Sequence, residues 1–66
     1  MTLPEIVSAV NQGKNVYYSS LRYKVIYDHT KGYFIKCNST NHLIGLTWED
    51  GRTLNGHEQN FFVSDD

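Results

Sequence analysis

Gly13 divides this chain into two hydrophobic periods, and that change of period is the strongest constraint on its fold. Before it, Leu3, Ile6, Val7 and Val10 recur at helical spacing and share one face. After it, apolar and polar residues alternate, the pattern of half-buried strands. Thr2 and Glu5 stand in the relation of a capping box, each side chain able to satisfy the backbone N–H at the other's position. Pro4 falls in the first turn, where its missing N–H costs nothing. Gly13 is placed to end the segment in a left-handed conformation. The spacing predicts one amphipathic helix over about residues 3–12.

Strands are expected at about residues 16–18, 21–27, 33–37, 42–49 and 60–63. The best of them is 21–27, with Leu21, Tyr23, Val25 and Tyr27 on one face and Arg22, Lys24 and Ile26 on the other. Asp28 to Gly32 reads as a hairpin loop. A register that keeps the apolar face whole sets Tyr27 opposite Tyr33, Val25 opposite Ile35 and Tyr23 opposite Cys37. The other face then sets Ile26 opposite Phe34 and Lys24 opposite Lys36. Gly45 marks a bend inside the fourth strand, Asp50-Gly51 and Asn55-Gly56 are tight-turn dipeptides, and Ser64 to Asp66 reads as a frayed end.

Sixty-six residues make one domain spanning 1–66, since a chain this short leaves little surface to bury in a second core. The expected class is α+β: an N-terminal amphipathic helix packed on a small, curved antiparallel sheet of four or five strands, with an SH3-like barrel as its more closed form. A single cysteine, Cys37, makes no internal disulfide and points to a reducing compartment. No leader pattern opens the sequence and no apolar run approaches the roughly 20 residues of a membrane span. The expectation is a cytoplasmic protein with no membrane association.

Charge is sorted along the chain. Lys14 to Cys37 carries Lys14, Arg22, Lys24, Lys31 and Lys36 against Asp28 alone, a balance of +4; Thr47 to Asp66 carries five acids against Arg52, a balance of −4, within a net charge of −1. Strand alternation gathers Arg22, Lys24 and Lys36 with Ile26 and Phe34 on one sheet face, which is the first candidate binding surface. Two lysines opposed across strands repel, so sheet packing gives no reason for them. A polyanion does: cations neutralise phosphates while a ring such as Phe34 offers a base a stacking surface. The plainer account is a solvated face on which lysine discourages aggregation, and the net charge of −1 lacks the basic excess of most nucleic-acid binders.

Trp48, Glu49 and Glu58 form a second candidate surface, suited to docking a basic partner. Contact between the basic and acidic regions of two copies would instead make a homo-oligomer. His29, Cys37, His42 and His57 show no zinc spacing, so no metal ligand is assigned. Cys37 is expected to face the core as an inert structural thiol, and Glu49, Asp50 and Glu58 flank turns with no pocket to separate their pKa values. No catalytic residue and no cofactor is therefore indicated.

Val16-Tyr17 after a short helix, Ile44-Gly45-Leu46-Thr47, Asp50-Gly51, Thr53-Leu54-Asn55-Gly56 with Glu58, and the Phe61-Phe62-Val63 end together resemble small hypothetical proteins of bacteriophages and prophages. The resemblance implies a cytoplasmic accessory protein that binds and alters a host macromolecule, and it carries no site residue with it. The expected function is a non-enzymatic interaction module for a protein partner, with single-stranded nucleic-acid binding as the alternative.

Overall fold

In the computed structural model, which describes residues 1–65, helix α1 runs Leu3–Asn11. Its capping box is formed in both directions: the Thr2 N–H donates to Glu5 Oε1 at 2.8 Å and the Glu5 N–H to Thr2 Oγ1 at 3.3 Å. Gly13 adopts φ +81° and its N–H donates to the Val10 carbonyl at 3.0 Å, which ends the helix. The buried face of α1 is Ile6 and Ala9.

Five strands follow: β1 Asn15–Tyr18, β2 Ser20–Asp28, β3 Gly32–Cys37, β4 Leu43–Gly45 and β5 Phe61–Ser64. They form one antiparallel sheet in the order β4-β3-β2-β1-β5, so the last strand returns to lie beside the first. The β2–β3 register is the one that the apolar alternation requires, including Val25 opposite Ile35, Ile26 opposite Phe34 and Lys24 opposite Lys36. A 3-10 turn over Glu58–Asn60 leads into β5. Asp66 of the expected frayed end lies outside the described residues, while Ser64 belongs to β5 and pairs with Asn15.

The sheet does not close into an SH3-like barrel, because β4 and β5 remain its two edges. The physical reason lies at Gly45, where the strand expected over 42–49 stops after three residues. The chain then turns inward and buries Leu46, at 1% exposure, and only a single bridge, Thr47 to Leu54, continues the pairing. With no long fourth strand there is nothing for β5 to close against. At the far end of this segment Gly56 lies under the ring of Tyr18: a Cβ there would stand 2.6 Å from the ring at a backbone φ of +148°.

Ile6, Ala9, Val16, Val25, Ile35, Leu46 and Phe61 make the core, between α1 and one sheet face. Leu21 and Tyr27, expected on the core face of β2, are 46% and 50% exposed. The lengths explain this. Nine helical residues span about 14 Å, whereas the nine of β2 span about 30 Å, so α1 covers only the middle of the strand.

A core this thin makes single substitutions severe. Thr2→Ala is expected to lower stability by about 1 kcal/mol and Ile6→Ala by about 2–5 kcal/mol, against roughly 3–5 kcal/mol for a domain of this size. Urea denaturation followed by circular dichroism should therefore show a lowered midpoint for the first and a largely unfolded chain for the second.

Candidate functional site

Direct cross-strand partners project from the same side of a sheet, so the register alone assembles the face turned away from α1. One row runs across all five strands: Leu43, Lys36, Lys24, Tyr17 and Phe62. At about 4.8 Å between strands it is about 19 Å long. A second row, Gly45, Phe34 and Ile26, lies beside it, and Arg22 precedes Lys24 by one alternation. The five residues of the first candidate surface are thus brought together. Its two lysines are directly opposed.

Both the helix and the segment carrying Leu46 and Leu54 pack on the other side of the sheet. Lys24, Lys36, Ile26 and Phe34 are nonetheless only partly exposed. Lysine commonly lays its aliphatic stem along apolar neighbours and keeps its ammonium group in water, which accounts for partial burial on a face with no element above it. Tyr17 is 6% exposed and its ring centroid lies 5.8 Å from that of Phe62. Leu43 is 45% exposed and Arg22 is also exposed. Among the described residues, Arg22, Lys24 and Lys36 form no ion pair. The face is therefore a basic centre with apolar ends, unneutralised among the described residues.

The second candidate surface draws on two segments, the Trp48–Thr53 loop and the turn that carries Glu58. Trp48, 60% exposed, and the exposed Glu49 sit on a loop closed by bonds from the Trp48 N–H to the Thr53 carbonyl at 2.9 Å and from the Gly51 N–H to the Trp48 carbonyl at 3.0 Å. Asp50 holds that loop: Oδ1 accepts from the Arg52 and Thr53 N–H groups at 2.9 and 3.0 Å, and Oδ2 from the Thr53 hydroxyl at 2.7 Å. These bonds, the Thr53 N–H foremost, lower the pKa of the Asp50 carboxyl below its usual value. Glu58 lines a shallow cleft with Leu3, Arg52, Thr53 and His57, and its carbonyl accepts from the Met1 ammonium at 2.5 Å. Trp48 and Glu49 do not line that cleft.

Cys37 pairs with Tyr23 but is only partly buried and lies outside the core cluster, which corrects the expectation of an inert core thiol. The chain leaves β3 there and turns, so the thiol meets the Ser39 hydroxyl, with Sγ to Oγ at 3.3 Å. Hydrogen bonding by Ser39, and next by Thr40, favours the thiolate and lowers the pKa to about 6. The backbone of His42 accepts from the Cys37 N–H at 2.8 Å. Among the described residues no three His, Cys, Asp or Glu side chains gather to hold a metal ion, and no helix is long and apolar enough to cross a membrane.

Sequence reading missed Tyr17, Phe62 and Leu43 as members of the basic row. Alternation within β1 and β5 separates Tyr17 from Val16 and Phe62 from Phe61, but Tyr17 joins the lysines through a β1–β2 register that shifts between Tyr17 and Tyr18, and Phe62 only through the long-range β1–β5 pairing. No family model matches the chain, and no curated protein or solved structure is significantly similar to it.

The thiol gives a direct check on this local geometry. Because the folded pKa is depressed, the thiolate's contribution to stability is complete above the ordinary thiol value and is lost as pH falls through about 6. Alkylation of the native protein by iodoacetamide should follow a titration centred near pH 6, and Ser39→Ala should move the midpoint upward. A native midpoint at about 8.5 would contradict the hydrogen-bonded geometry.

Proposed function

We propose that this domain is a non-enzymatic interaction module that binds a partner protein through the uncovered face of its sheet. The observation that carries the reading is Lys24 directly opposite Lys36, on the face turned away from the helix and the Leu46–Leu54 segment, where no acid among the described residues answers them. Protection against edge-to-edge aggregation does not account for the pair, since such lysines belong on edge strands and β2 and β3 lie inside the sheet. The residues of the two rows include no carboxylate, thiol or imidazole, which favours binding over catalysis. The resemblance to small bacteriophage and prophage proteins is in keeping with an accessory protein that acts in the cytoplasm on a host macromolecule.

A second reading, single-stranded nucleic-acid binding, is favoured by Phe34, which lies two residues along β3 from Lys36 on the same face and opposite Ile26. Two observations weigh against it. Tyr17, the aromatic next to Lys24 in the row, is too buried to stack on a base, and the net charge of −1 opposes a polyanion.

Site-specific photocrosslinking separates the two. A photoreactive phenylalanine placed at Leu43 or Phe34 in bacterial cells should give adducts that protease destroys and nuclease leaves intact. Nuclease-sensitive adducts would favour the second reading, and adducts arising only from a probe at Trp48 would contradict both.

A further inference from the structure

The basic row has a chemistry more specific than a positive patch. Its two charges are central and adjacent, and its ends are apolar, with Leu43 on β4 and the Tyr17–Phe62 pair on β1 and β5. We infer that the partner surface is an acidic polypeptide segment: two neighbouring carboxylates, flanked on both sides by apolar side chains, seated across Leu43, Lys36, Lys24 and Phe62, with the buried Tyr17 supporting Phe62 from beneath. This rests on the interaction-module reading above and adds the partner's chemistry to it.

Charge complementarity is the first support. Directly opposed lysines have Cβ atoms about 5 Å apart, so one carboxylate between them would still leave an unanswered charge, whereas two neighbouring carboxylates match both. Among the described residues, neither lysine has an acid of its own to exchange. Both are partly buried, so little further side-chain freedom is lost when a carboxylate arrives. Arg22, exposed one alternation away on β2, extends the positive field and favours fast association.

The apolar ends decide against a phosphate backbone. A nucleic acid asks for cations spaced along its path and rings between them. Here the cations are confined to the middle of a row about 19 Å long, and one end is Leu43, an aliphatic side chain that offers no stacking surface but, at 45% exposure, can bury against an apolar anchor. The chain's own acidic loop is a poor substitute. Asp50 spends both carboxylate oxygens on Arg52 and Thr53, leaving Glu49 as the single free acid beside Trp48.

The test uses the intact protein, labelled with nitrogen-15, and three probes: an acetylated peptide with two adjacent glutamates between leucine and phenylalanine anchors, the same peptide with glutamines in their place, and an oligothymidylate. The acidic peptide should shift the amides of Lys24, Lys36, Leu43 and Phe62 saturably, with an affinity that falls as salt rises. Lys24→Glu with Lys36→Glu should weaken it by roughly tenfold, the loss of two ion pairs on a partly exposed surface, and a peptide carrying lysines instead should then bind the variant. The retained dispersion of the variant's spectrum shows that it is folded. Equal binding of the glutamine peptide, or binding of the oligothymidylate alone, at this face would overturn the acidic-segment inference while the face remained an interaction surface. Concentration-dependent shifts at the same amides without any probe would identify a second copy as the occupant and likewise overturn it. Absence of shifts with all three probes would sink the inference and the interaction-module reading together.

Discussion

Val25 opposite Ile35 is the pair on which the rest of the molecule depends. Both side chains are almost fully buried, at 3% and 2% exposure, and together they pin the β2–β3 register against the helix. A slip of one residue would turn Lys24 or Lys36 into the core. Desolvating an unpaired ammonium costs several kcal/mol, comparable to all the stability a domain of this size commands. The register is therefore not negotiable for this sequence, and once it is set the opposed lysines follow. The core thus fixes that positions 24 and 36 face each other on the other side of the same two strands, but it does not require lysine at either.

The helix sets the second limit. It is too short to cover β2 from end to end, so Leu21 and Tyr27 emerge on either side of it, and the chain recruits Leu46 and Leu54 from an irregular segment to finish the core. Tyr18, held between Gly56 and the ring of Phe61 at 4.8 Å, ties that segment back to β1. The core cluster is thereby drawn to one side of the sheet, and on the other only Tyr17 is buried as deeply. That other side is left to its own side chains, with no element above its lysines and rings.

What could be read in the sequence is what local alternation and end signals control. The capping box at Thr2 and Glu5, the turn at Gly13 and the whole β2–β3 pairing follow from residues close together in the chain. The candidate face was legible for the same reason, since Arg22, Lys24, Ile26, Phe34 and Lys36 all lie on one hairpin. What was not legible is the register shift between Tyr17 and Tyr18 that sets Tyr17 opposite Lys24, together with two contacts between distant segments: β5 beside β1, which adds Phe62 to the lysine row, and the inward turn after Gly45, which shortens β4 and prevents a barrel. Cys37 was misread because its pairing with Tyr23 was right but the core stops short of it, leaving the thiol to Ser39. The bonds that shape the loop carrying Trp48 and Glu49 come from Asp50, whose place in a tight turn is readable from Asp50-Gly51.

The central claim is that Lys24 and Lys36 are opposed at a cost to the fold because they serve a partner. Residues kept for binding commonly leave stability unrealised. The most direct measurement is the unfolding free energy of Lys24→Glu alone, which turns the repulsive cross-strand pair into an attractive one. The account predicts a variant more stable than the native chain by about 0.2–1 kcal/mol at low ionic strength, with the gain fading as salt is added. A variant less stable than the native chain, or one whose stability does not respond to salt, would show that the lysine is part of the sheet's own packing and would contradict the claim.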